Sequence, residues 1–288
     1  MGIDYVLFDR LVELSTRFRP EGRALMLGRQ KFPIQTQYRK RYEASLAEHG
    51  IAARRFDFLS EDGYAETLMD KLGLGPMEVM DFSDYEGATI LHDLNKQPDP
   101  SLENQFDLIF DGGTVEHVFN VPMALEGLFR MLKPGGRLIS ANGLNGWYGH
   151  GMYQFNPELV WTFWKRACNC NVLDCRAIPA DPSGSFGHVP FEDPATSGVR
   201  LRLKNQIGPG RTYLYYEIEK TDQSHLPDFA LQSDYETRWN GATNAGMTRL
   251  DGETQAGHTQ AGDTVSGGGA GALGPQTNTS QATLMARS

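Results

Sequence analysis

The chain has 288 residues, 40% of them hydrophobic and 22% charged, with a formal net charge of −9. That length accommodates one large domain or two small ones around a sizeable core. An acidic chain without a basic block is a poor match for nucleic acid or anionic lipid, and no run approaches the ~18 apolar residues of a membrane span.

At the start, Met1 to Asp4 lacks a basic n-region and no signal-like apolar stretch follows, so a cytoplasmic location is expected. Residues 4–18 then have helical spacing, with Leu7, Leu11, Leu14 and Phe18 on one side. Arg23 to Leu27 reads as a short buried strand ending at Gly28. Helices are expected over about 36–49, stopping at Gly50, and over about 62–72, stopping at Gly73. Glu78 to Phe82 and Thr89 to Leu91 are short strands, and Phe106 to Phe110 is the clearest one, closed by Asp111-Gly112-Gly113. Asn120 and Pro122 mark a helix start, with Leu125, Leu128, Phe129 and Leu132 on its buried face. Lys133-Pro134-Gly135-Gly136 ends that helix, and Arg137 to Ala141 resumes as a strand. Asn156-Pro157 starts another helix through about Ala167, and Val172 to Ile178 and Thr212 to Ile218 are the last strands. Between them, about 180–210 is irregular.

The last 48 residues differ from the rest. They hold ten of the 32 Gly, no aromatic residue, and the repeat Thr254-Gln255-Ala256-Gly257, Thr259-Gln260-Ala261-Gly262. Such a stretch cannot bury enough apolar surface to offset its backbone entropy. The expected organisation is a folded domain over 1–230 and a low-complexity, disordered tail over 231–288.

Alternating strands and helices imply a mostly parallel sheet covered on both faces, with ligands beyond the carboxyl ends of its strands. The residues there are Gly28, Asp81, Asp93, Asp111 and Asn142. The stretch 106–139 runs Phe-Asp-Leu-Ile-Phe-Asp-Gly-Gly-Thr-Val-Glu-His-Val and ends Met-Leu-Lys-Pro-Gly-Gly-Arg-Leu-Ile. In that order its elements resemble class I S-adenosylmethionine-dependent methyltransferases. The resemblance implies an α/β, doubly wound, mostly parallel seven-stranded sheet of the Rossmann-like methyltransferase type, with S-adenosyl-L-methionine as cofactor. It assigns Asp81 to the ribose hydroxyls, Asp93 with Leu94 to the adenine, and Asp111 and Gly112 to the methionine part. Gly28 and Arg29 fall in the first cofactor loop. That loop departs from the family pattern of one acidic residue and three spaced glycines. Met26 replaces the acidic residue, and Gln30 and Phe32 stand at two of the glycine positions.

Two histidines are candidate catalytic bases: His150, in Gly149-His150-Gly151 after the fifth strand, and His117, after the fourth. His188 ranks third. The polar and aromatic residues around His150, among them Asn145, Trp147, Tyr148 and Tyr153, suit a hydroxylated small molecule. Cys168, Cys170 and Cys175 are read as buried reduced thiols, and no metal site is assigned. The expected function is methyl transfer to a small-molecule oxygen, of a sugar or natural product, with no nucleic-acid or membrane partner. The alternative is a catalytically silent methyltransferase-like domain that binds a ligand or partner.

Overall fold

The computed structural model describes residues 2–197, 203 and 205–232; the expected tail beyond them lies outside the described residues. Eight strands form one sheet: β1 (Arg23–Leu27), β2 (Met77–Asp81), β3 (Ile90–Leu91), β4 (Phe106–Asp111), β5 (Leu132–Asn145), β6 (Asn171–Pro179), β7 (Val189–Pro190) and β8 (Thr212–Glu219). Their order is β3-β2-β1-β4-β5-β8-β6-β7. The pairs from β3 to β5 are parallel, and β8 inserts antiparallel between β5 and β6. The expected count of seven is exceeded by one, because β7 adds two residues antiparallel to β6 at the edge.

The sheet carries an apolar layer on each face, and strand alternation decides which residue enters which layer. In β1, Ala24 and Met26 face one layer while Leu25 and Leu27 face the other. The first layer holds α1 (Tyr5–Arg17), α2 (Arg39–Glu48) and α3 (Glu66–Lys71); the second holds α4 (Val121–Met131) and α5 (Pro157–Leu159). Residues of α5 continue as a π-helical stretch over Val160–Ala167.

Local chemistry sets the helix ends. Asp4 caps α1, its Oδ1 accepting from Leu7 N–H at 2.9 Å, and Asn120 caps α4. Leu7, Leu11 and Leu14 are buried as their spacing predicts. Two polar ties fix α1 to β8: Tyr213 O–H donates to Asp4 Oδ2 at 3.0 Å, and Arg17 pairs with the buried Glu217. At the far end of α4, Lys220 Nζ donates to the carbonyls of Phe129 and Leu132 at 2.9 and 2.8 Å, where an ammonium opposes the negative pole of the helix. Lys133 to Gly136, expected as a turn, begins β5. Gly135 takes φ +80°, its N–H donates to Lys220 carbonyl at 2.6 Å, and Lys133 to Gly136 bulge out of the ladder, which pairs Leu132 with Phe106 and resumes at Arg137 with Leu108.

The departures at the first loop have a packing origin. Met26 and Phe32 are fully buried, and Phe32 stacks on Phe8 of α1 at 5.6 Å between ring centroids. An N-terminal helix lies over this end of the sheet, so the chain after β1 spends its apolar side chains on a core.

Candidate functional site

The carboxyl ends of β1, β2, β3, β4 and β5 carry most of the residues expected to act. Gly28 ends β1 at φ +61°, a conformation L side chains rarely adopt, and its N–H donates to Met80 carbonyl at 2.8 Å. A Cβ on Gly28 would stand 3.0 Å from Thr114 Oγ1 and 3.5 Å from Gln30 Nε2. One on Gly112 would stand 3.2 Å from Gln30 Oε1. The buried Gln30 side chain thus lies in the cradle between these two glycines. Its Nε2 donates to Leu27 carbonyl at 3.0 Å, and its Oε1 is buried without a partner.

Asp81 closes β2. Its Oδ1 accepts from Phe82 N–H at 2.6 Å, which leaves Oδ2 for a ligand. The Phe82 ring beside it is 75% exposed. Asp93 follows β3 and is more committed: Oδ1 accepts from the backbone and side-chain amides of Asn95, and Oδ2 pairs with Lys96 at 3.2 Å. Those amide donors hold its carboxyl below the usual range. Leu94 packs against the α4 layer.

Two expected cofactor residues have side chains engaged elsewhere. Arg29 pairs with Asp62 at 2.7 Å and Glu66 at 2.5 Å and stacks on Tyr64. Asp111 is fully buried. Its Oδ1 accepts from Thr114 N–H at 2.8 Å, and its Oδ2 accepts from Ser140 Oγ at 2.9 Å and Asn142 Nδ2 at 2.6 Å. The carboxylate sets the turn after β4, and Gly112 and Gly113 are left to present backbone.

The two histidines meet around Glu116, a residue of the 106–139 stretch. Glu116 is buried to 1% side-chain exposure and lies beneath His150 and His117. Its Oε1 stands 3.4 Å from His150 Nε2 and 3.8 Å from His117 Nε2. The imidazoles pack edge to face, 5.2 Å between centroids. The other oxygen, Oε2, accepts from Gly143 N–H at 2.5 Å, and Asn142 Oδ1 accepts from Glu116 N–H at 3.2 Å. The Glu116 carbonyl accepts from Met152 and Tyr153 N–H at 2.9 and 3.2 Å, which draws the His150 loop over it. Burial pushes the Glu116 carboxyl up to about 7, the charge of Asp111 adds to this, and the Gly143 N–H opposes it. Burial lowers both histidines. Gly143 and Gly151 make room for Glu116: a Cβ at either would press on it, at 3.0 and 2.9 Å.

His188 does not join them; it lines a separate depression with Tyr5 and Asp9. The three cysteines are buried and unpaired. A cleft of about 870 Å³ opens between the first turns of α4 and α5, walled by Val121, Leu125, Leu144, Pro157 and Phe163. Leu144 directly follows Gly143 on β5.

Residues 83–140, from the end of β2 into β5, match the family model described as a methyltransferase domain. Over that fifth of its length the chain resembles a methyltransferase domain. S-adenosylmethionine is the cofactor that the resemblance implies, and the strand ends offer it a carboxylate oxygen at Asp81, a bare ring at Phe82, and an orphaned acceptor, Gln30 Oε1, in the glycine cradle. No curated protein matches the chain. Among solved structures, it is similar to a Burkholderia thailandensis 1,6-didemethyltoxoflavin N1-methyltransferase bound to its substrate and S-adenosylhomocysteine, at 16% identity over 74% of this chain and 80% of that one, TM-score 0.35. The YcgJ protein of Bacillus subtilis is similar at 12% identity over 75% of this chain and 98% of that one, TM-score 0.36. A 16S rRNA (adenine(1408)-N(1))-methyltransferase of Catenulisporales acidiphilia is similar at 14% identity over 74% and 91%, TM-score 0.33. Among the described residues, no helix is long and apolar enough to cross a membrane.

Proposed function

We propose that this methyltransferase domain, residues 1–230, moves a methyl group to an oxygen of a small hydroxylated molecule, a sugar or natural product. The observation that supports it is the pair of features at the strand ends: the Gly28–Gly112 cradle with Asp81 after β2, and the Glu116–His117–His150 cluster after β4 and β5. The cofactor, when bound, supplies a sulfonium methyl as electrophile. The chain has to hold and align the reactants, because orientation accounts for much of such a barrier.

Asp81 accepts from the ribose hydroxyls, since one carboxylate takes two hydrogen bonds from a vicinal diol. Phe82 offers a ring face to the adenine, beside Asp93 and Leu94. Gly28 and Gly112 let backbone approach the methionine part, and Gln30 Oε1 is an acceptor for its ammonium. His150 and His117 act on the acceptor oxygen, with Glu116 beneath them. The apolar cleft at Leu144 and Phe163 takes the acceptor's body and keeps water from the reacting oxygen.

The second reading, a domain that no longer transfers methyl groups, draws on the Gln30 side chain filling the cradle that glycine would leave open. Calorimetric titration of the full chain with S-adenosylmethionine and S-adenosylhomocysteine decides between them. Saturable binding is expected, and Asp81→Ala should weaken it at least about tenfold, the effect of losing one charged hydrogen bond. Unchanged affinity in that variant removes the ribose role. No binding to the native chain at millimolar ligand removes the enzyme reading and leaves the silent one.

A further inference from the structure

We infer that Glu116, His117 and His150 form a binding site for a divalent transition-metal ion of the zinc, iron(II), manganese or cobalt type. One carboxylate oxygen and two imidazole nitrogens, each able to donate a lone pair, lie within 4.8 Å of one another. Around a tetrahedral zinc ion with bonds of about 2.0–2.1 Å, donor atoms stand roughly 3.3 Å apart. Glu116 Oε1 is 3.4 Å from His150 Nε2 and 3.8 Å from His117 Nε2, so the set is nearly at chelating separation before any ion arrives. His117, with 45% of its side chain exposed, stands at the solvent side of the set.

The decisive feature is what the two buried atoms do not do. Glu116 Oε1 and His150 Nε2 face each other at 3.4 Å, yet neither makes a hydrogen bond to the other or to any group among the described residues. A buried acceptor left unmade costs about 1–3 kcal/mol, more when charged. Two of them 3.4 Å apart are what a cation would satisfy.

The surroundings fix the donors as a metal site requires. Gly143 N–H holds the second carboxylate oxygen, so only Oε1 is left to ligate. Asn142 joins the Glu116 amide to Asp111, whose buried carboxylate adds negative charge behind the site. Trp147 packs on the His150 ring at 5.0 Å, and its own Nε1–H is anchored on Thr212 carbonyl at 2.9 Å. Mixed nitrogen and oxygen donors select first-row transition metals over calcium or magnesium, which take oxygen. Three protein donors leave at least one position for water or an acceptor oxygen. A ligated Nε2 has no lone pair for a proton, so the ion would replace the imidazole as the group that acts on that oxygen. This inference reverses the expectation of no metal, and it does not rest on cofactor binding.

The test uses the full, untagged chain, stripped with a chelator and titrated with Co²⁺, read by visible ligand-field absorption and by Zn²⁺ competition. One equivalent should bind. Glu116→Gln, whose amide oxygen still accepts from Gly143 N–H, and His150→Ala should each bind at least about a hundredfold more weakly, beyond the ten- to hundredfold that loss of a supporting contact costs. His117→Ala, at the half-exposed position, should do the same with unchanged circular dichroism. No cobalt spectrum at millimolar metal with the native chain, or affinity unchanged in Glu116→Gln and His117→Ala, would overturn the assignment.

Discussion

Gly143 shows how closely single residues are fitted around the site. A Cβ there would come within 2.9 Å of Trp147 Cγ and 3.0 Å of Glu116 Oε2, closer than ordinary contact. Gly143→Ala should therefore cost about 1–3 kcal/mol, the usual cost of overpacking. Thermal or urea unfolding measures it, and a neutral result would mean that Trp147 moves freely. Residue-scale legibility was uneven. Asp81, His117 and His150 were named from their places after strands, and two of them meet in space. Glu116 was quoted as part of a signature and not as a site residue, because its role depends on Gly143 and His150, distant in sequence. The commitment of Arg29 to Asp62 and Glu66, and of Asp111 to Ser140 and Asn142, was illegible for the same reason.

Elements were easier, because periodicity and caps are local. The leucines of α1 and the Asn120 cap of α4 are where their spacing places them. The start of β5 was legible in part: Lys133-Pro134-Gly135-Gly136 bulges out of the ladder, which resumes at Arg137, and only bonds to Lys220, distant in sequence, hold the bulge to the sheet. The π-helical turn after α5 has no sequence signal of its own. Asp4 provides the pH test at this scale. Burial raises its carboxyl above the usual range, against the pull of the Leu7 N–H and Tyr213 hydroxyl. The folded form then holds the proton more tightly than the unfolded chain, so its contribution is full below the unfolded value of about 3.9 and is lost as pH rises through the folded value. Asp4→Asn keeps a capping oxygen and cannot ionise. The native chain should gain stability relative to this variant as pH falls from neutrality into the acid range. Urea midpoints for both across that range check it, and a gap moving the other way refutes the assignment.

At the scale of the whole molecule, a parallel-centred sheet brings the ends of β1 to β5 to one rim, and the chain spends that rim on two jobs. One half holds Gly28, Asp81 and Gly112, where the proposed function puts the cofactor. The other half holds Glu116 with His117 and His150, where it puts the acceptor. The fold class was legible because alternating strands and helices leave few arrangements. The filled first loop was not, since Phe32 is buried against Phe8 of a helix that precedes the sheet. The most direct measurement is a structure of the full chain with S-adenosylhomocysteine. The expected result places the ribose hydroxyls on Asp81 Oδ2 and the amino-acid end between Gly28 and Gly112, beside Gln30 Oε1. A ligand bound away from the strand ends, or a cradle that stays filled by Gln30 at saturating ligand, would contradict the account.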